Sequence, residues 1–166
     1  PQQHHLPRAG LVHRIDKDTS GLLMIAKKRS TLKTLQEHLR EKTLQKTYLC
    51  LVVGWISSDA QTIDKPLLKY TLPATQEGKS GERRVKVDVK SEDSKPSQTQ
   101  INVLQKFALN GQKVSLKEAK PLTGRTHQIR VHLASIGHPL LGDDKYNPNV
   151  AKGDKSVRRL CLHAYQ

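Results

Sequence analysis

The dipeptide Asn110-Gly111 constrains the fold more than any other feature of this 166-residue chain. Asn-Gly between two apolar-patterned runs suits a tight turn in which both central residues need positive φ. It predicts that a strand over 101–109 folds back on a strand over 112–120, with Val114, Leu116 and Glu118 sharing a face. Further strands follow from pattern. Residues 46–54 are apolar and β-branched. Residues 83–90 alternate Val85, Val87 and Val89 with Arg84, Lys86, Asp88 and Lys90, the period-two writing of a sheet with one basic face. Residues 61–68 read as an edge strand and a Pro-started loop, and 160–164 as a strand start. One helix is convincing: Ser30 caps a segment running to about Glu41, and Leu32, Leu35 and Leu39 make one apolar stripe for packing on the sheet. The pattern predicts a single α+β domain on a largely antiparallel mixed β-sheet with few helices.

Charge narrows the partner. Lys and Arg outnumber Asp and Glu by 29 to 15, for a net charge of +14. An excess of that size, spread along the chain, points to a polyanion. Nucleic acid is favoured over a membrane surface, because the sequence shows neither a hydrophobic span nor an amphipathic basic helix. Cys50 and Cys161 are too few for a disulfide scaffold or a metal cage, and Cys50 lies in an apolar run as a small buried hydrophobe. With no signal peptide visible, a reducing, cytoplasmic setting is expected. His4 and His5 read as a solvated terminus, 75–82 as a polar turn, and 147–159 as the segment least able to order.

Two dense polar clusters interrupt this frame. The first, His13-Arg14-Ile15-Asp16-Lys17-Asp18-Thr19-Ser20-Gly21, leads into the unbroken apolar run 22–26, a polar loop ahead of a buried strand. Asp18, Thr19 and Ser20 read as turn residues bonding their own backbone, with Gly21 taking a φ that a side chain resists. The second cluster, Gly124-Arg125-Thr126-His127-Gln128-Ile129-Arg130-Val131-His132, holds more charge and imidazole than a surface needs. His127 and His132 stand five apart with no carboxylate or thiol beside them, so no metal site is expected.

These clusters carry a family resemblance. His-Arg-Ile-Asp-x-x-Thr-Ser-Gly-Leu-Leu at 13–23 resembles the catalytic motif of the RluA-type pseudouridine synthases, which isomerise uridine in RNA. Lys46, Tyr48, Val52 and Gly54 match a second motif, and 124–132 with 137–143 a third. Ile15 stands where leucine is usual, a volume-conserving change. The resemblance implies a pseudouridine synthase-like catalytic domain in which Asp16 is the catalytic carboxylate, Tyr48 lies against the target uracil and Arg130 is the cation beside Asp16. It implies that Arg14 fills the gap left by a flipped base, with His13, Thr19, Arg125 and His127 as further RNA contacts. It also implies that 1–166 is the central part of one catalytic domain, the family's outer strands lying beyond both ends.

The chemistry agrees with that inventory. Pseudouridine formation breaks the N1–C1′ bond and joins C5 to C1′, a net isomerisation for which no cofactor is expected. One ionised carboxylate suffices for the charge that develops at the sugar, whereas a hydrolytic glycosidase needs a second. A non-catalytic RNA-binding module accounts for the charge but gains nothing from a carboxylate facing phosphates. The 66–69, 83–85 and 94–97 segments resemble the branch of the family that serves the large ribosomal subunit, which favours 23S ribosomal RNA over transfer RNA. No protein partner is predicted, and a monomer is expected.

Overall fold

A computed structural model describes residues 5–74 and 80–166; His4 and most of the 75–82 turn lie outside them. Its strands are β1 (Ser20–Gly21), β2 (Tyr48–Val53), β3 (Ala60–Asp64), β4 (Leu67–Leu72), β5 (Glu82–Val87), β6 (Gln98–Leu109), β7 (Gln112–Pro121) and β8 (Leu162–Ala164). Its helices are α1 (Arg29–Arg40), α2 (Gln128–Ser135) and α3 (Pro148–Ala151). Six strands form one sheet in the order β1-β8-β2-β7-β6-β3, and β4 and β5 form a separate hairpin. All pairs are antiparallel except β1 with β8. The fold is α+β on a mixed, largely antiparallel sheet, as the pattern predicts.

The Asn110-Gly111 turn forms as expected, with φ of 50° and 77° and Leu109 facing Gln112 across it. Val114, Leu116 and Glu118 share one face of β7, and the opposite face meets the main core. Opposite Tyr48, Cys50 and Val52 of β2 stand Ala119, Lys117 and Ser115 of β7. Those residues, rather than Leu116 and Glu118, point into the core that holds Ile63, Ile101, Leu133 and Leu140. This core accepts a serine and a lysine.

Helix α1 starts from Lys28 with no side-chain cap, so Ser30 lies inside the first turn. Its stripe of Leu32, Leu35 and Leu39 packs on Val12, Met24 and Ala26 rather than on the main sheet. The 22–26 run is correspondingly not a buried strand. Val12 N–H bonds Met24 C=O and Ala26 N–H bonds Gly10 C=O, so alternate residues face α1. Leu22, Leu23 and Ile25 face outward, 59%, 41% and 56% exposed. The 147–159 segment is also more ordered than its composition implies, because buried Asn147 caps α3 and donates its amide to Leu140 C=O at 2.9 Å.

Helix α2 joins the two sheets. Ile129 and Leu133 enter the main core, while Val131 packs with Leu67 and Val85 of the hairpin. An amphipathic stripe would serve one sheet only; this helix is buried around most of its circumference.

Candidate active site

The loop before β1, the start of β2, the β4–β5 hairpin and the N-terminal end of α2 enclose a cleft of about 800 Å³. Among the described residues its lining includes nine lysines and arginines and a single carboxylate, Asp16. Arg14 and Lys17 come from the Asp16 loop and Lys46 from the approach to β2; Lys69, Arg83 and Arg84 come from the hairpin; Arg125, Arg130 and Lys145 come from the α2 side.

Backbone chemistry sets the Asp16 loop. Thr19 N–H donates to Asp16 C=O at 3.0 Å, closing a turn through Lys17 and Asp18. Gly21 then runs against β8 at φ 110°, where a Cβ would sit 2.0 Å from Ala164 O. A side chain is excluded there by space as well as by conformation. Ser20 Oγ reaches across to His163 Nδ1 at 2.7 Å rather than to its own turn. Asp16 is half-buried, and its carboxylate makes no hydrogen bond or ion pair among the described residues.

Tyr48 opens β2 nearly buried beside that carboxylate. Burial raises its phenol above the ordinary range, and the charge on Asp16 raises it further. Burial lowers Lys46. The second polar cluster is ordered by its glutamine. Buried Gln128 accepts from Thr123 Oγ1 and Arg125 N–H, at 2.6 and 3.1 Å, and donates to Gln98 C=O and Thr99 Oγ1. This fixes the 123–127 loop that forms the cleft rim.

Arg130 is 3% exposed, and its partner differs from the expected one. Nε and Nη2 donate to both carboxylate oxygens of fully buried Asp143, at 2.9 and 2.7 Å. Tyr146 lies under the guanidinium, 5.1 Å from its ring centroid. Burial disfavours the charge on Arg130, but the Asp143 hydrogen bonds outweigh it and hold the pKa above the ordinary value. Asp16 contributes to Arg130 through its field, without an ion pair among the described residues. The motif therefore brings the cation to the cleft, and the 142–147 loop takes both of its contacting nitrogens.

Of the other expected site residues, Arg14, Thr19, Arg125 and His127 line the cleft. His13 does not: its Nε2 accepts Met24 N–H at 3.2 Å, and its Nδ1 is buried without a partner. Sequence reasoning missed Gln128, Asp143 and Tyr146. A signal existed for Asp143, since an arginine between Ile129 and Val131 requires a buried carboxylate, and the turn at 142–144 offers one.

The comparisons with known proteins agree with this geometry. Residues 1–135 match the RNA pseudouridylate synthase family. Over 159 residues, 93% of the chain, it is 45% identical to ribosomal large subunit pseudouridine synthase C of Escherichia coli strain K12 and of Salmonella typhi. It is 46% identical over 164 residues to the enzyme of that name from Pasteurella multocida. The chain spans about half the length of these curated relatives, 44% to 46%. The fold superposes on human RNA pseudouridylate synthase domain containing 1 with a TM-score of 0.76 at 32% identity, covering 93% of this chain and 61% of that one. On human RNA pseudouridylate synthase domain containing 4 the TM-score is 0.71 at 27% identity, covering 93% and 64%. A shared sequence pattern over most of its length, carried on the same fold, establishes that the chain belongs to the RNA pseudouridylate synthase family.

Proposed function

We propose that this chain carries the catalytic centre of an RNA pseudouridine synthase that isomerises uridine in 23S ribosomal RNA. The observation that carries the reading is, among the described residues, one unpaired carboxylate in a cleft lined by nine cations. Cations at that density neutralise phosphates. A pure binding surface would not place a carboxylate among them. The names of the curated relatives support ribosomal RNA as the substrate.

In this reading the target uridine leaves its stack and enters the cleft. Exposed Arg14, two residues from Asp16, fills the vacated space with its guanidinium plane. Thr19, Arg125 and His127 contact the RNA, and His13 supports the loop from behind. Tyr48 lies against the uracil beside Asp16, and the Asp16 carboxylate acts on the nucleotide as its N1–C1′ bond breaks. The base then turns and C5 bonds to C1′. The C5 proton is lost and N1 gains one, so atoms balance with no added reactant. The setting is the cytoplasm and the working unit a monomer; no helix among the described residues is long and apolar enough to cross a membrane.

Tritium release from 23S RNA labelled at uracil C5 tests this. Wild type should release tritium, and Asp16→Asn should fall to background while binding RNA with unchanged salt dependence. Release by Asp16→Asn would refute the role of that carboxylate. Salt-sensitive binding without release by either protein would refute 23S RNA as the substrate. A transfer RNA panel would then separate a different substrate from a binding module.

A further inference from the structure

We propose that Tyr146 is a positioning residue, holding His127 as a neutral imidazole whose remaining proton, on Nε2, is presented to an acceptor oxygen of the bound nucleotide. The nucleotide part rests on the function proposed above; the tautomer does not.

The Tyr146 hydroxyl lies 2.7 Å from His127 Nδ1 and accepts Val85 N–H at 3.0 Å. It has one proton to give, and among the described residues Nδ1 is the acceptor it meets. A phenolic proton left without an acceptor in this half-buried position is unfavourable, so the phenol donates and Nδ1 accepts. The ring proton then resides on Nε2. Burial pushes the Tyr146 phenol up to about 12, so it stays a donor across the working range of pH.

Geometry fixes the imidazole as well as its tautomer. The two rings meet edge to face, centroids 5.6 Å apart at 69°. His127 occupies the left-handed region at φ 52°, ψ 23°, immediately before α2. A non-glycine residue persists there only when its surroundings hold it, and such positions concentrate at functional sites. Val85 belongs to β5, so the phenol also ties the hairpin side of the cleft to the helix side. Nε2 makes no hydrogen bond among the described residues and is not a buried orphan, and His127 lines the cleft with Asp16.

The surrounding charges divide. Burial opposes protonation of His127 first, followed by Arg130 on its own helix and Lys145 on the facing loop; Asp16 and Asp143 favour it, and the balance keeps the imidazole below its ordinary pKa. A neutral ring donating from Nε2 can polarise an oxygen of the nucleotide. It cannot serve as a base from that nitrogen.

The test is long-range proton–nitrogen correlation on the full chain labelled with ¹⁵N-histidine, with His127 assigned by the signal missing in His127→Gln. Wild type should show the Nε2–H tautomer. Tyr146→Phe should give mixed tautomers and a His127 midpoint raised by about one pH unit. In the tritium-release assay the acid limb of kcat/KM should move up with it. An Nδ1–H tautomer in wild type overturns the proposal, as does a Tyr146→Phe protein with the tautomer and midpoint of wild type. If Tyr146→Phe does not fold, the wild-type tautomer decides alone. The expected spectra with no release from any RNA would sink the pseudouridine reading and leave the Tyr146 assignment standing.

Discussion

Two aspartates, one lining the cleft and one buried behind Arg130, are treated in opposite ways. Asp16 sits half-buried on a loop with no hydrogen bond or ion pair to its carboxylate among the described residues. Asp143 is fully buried and saturated: it accepts from Arg130 Nε and Nη2 and from the backbone N–H groups of Lys145 and Tyr146. The first is a charge kept available, with nine cations around it and none committed to it within ion-pair distance among the described residues. The second is a charge used up in holding another. In the proposed function the carboxylate that reacts is the one without a fixed partner among the described residues, while Arg130 at the cleft wall is held rigid by the other.

The comparison breaks first at turnover. Asp16→Asn should remove tritium release entirely while changing stability by no more than about 0.5 kcal/mol, since no described side chain loses a partner. A large drop in Tm would show that Asp16 is structural after all. Asp143→Ala should do the reverse, costing about 3–5 kcal/mol in urea unfolding because it strands a buried guanidinium. A cost under about 1 kcal/mol would show the pair to be hydrated and replaceable.

Lys117 supplies a third arrangement, a buried charge with no partner. Its side chain is 0% exposed and its Nζ meets no acceptor among the described residues. Burial lowers its pKa from 10.5 to about 8. Between those values the unfolded chain binds a proton that the native state does not, so stability rises with pH through that window. Below about 8 the native state carries a penalty of up to about 3 kcal/mol. Lys117→Met should therefore stabilise the fold at pH 7, and its advantage in Tm should shrink as pH approaches 10. A constant advantage would contradict the burial account.

A smaller effect is expected from His132, whose Nδ1 lies 2.7 Å from Thr99 Oγ1 and whose Nε2 lies 2.9 Å from Lys65 C=O. Burial lowers its pKa below 6.5. The unfolded chain protonates first, so the stability it contributes is full above 6.5 and is lost as pH falls through the lower native value. His132→Gln should lose less stability than wild type between pH 7 and pH 5; parallel losses would exclude His132 as the source.

Much of this was legible in the residues. Asn110-Gly111 and period-two alternation specify local geometry, and local geometry needs only neighbouring side chains. The Asp16 loop was legible for the same reason: polar turn residues lead to a glycine that takes φ 110°. The exposed run at Leu22, Leu23 and Ile25 was misread, because hydropathy records what a side chain prefers and not what the fold packs against it.

The sequence by itself determined the α+β hairpin frame, the basic charge and the two polar clusters that line the cleft, since each is written in contiguous residues. Tertiary structure alone decided which charges are spent on one another. Arg130 and Asp143 are thirteen residues apart, and His127 and Tyr146 nineteen. Whether such pairs meet depends on how a loop returns to a helix, and no local propensity encodes that path. The separation of an aspartate open to the cleft from one committed to Arg130 is therefore a property of the folded molecule.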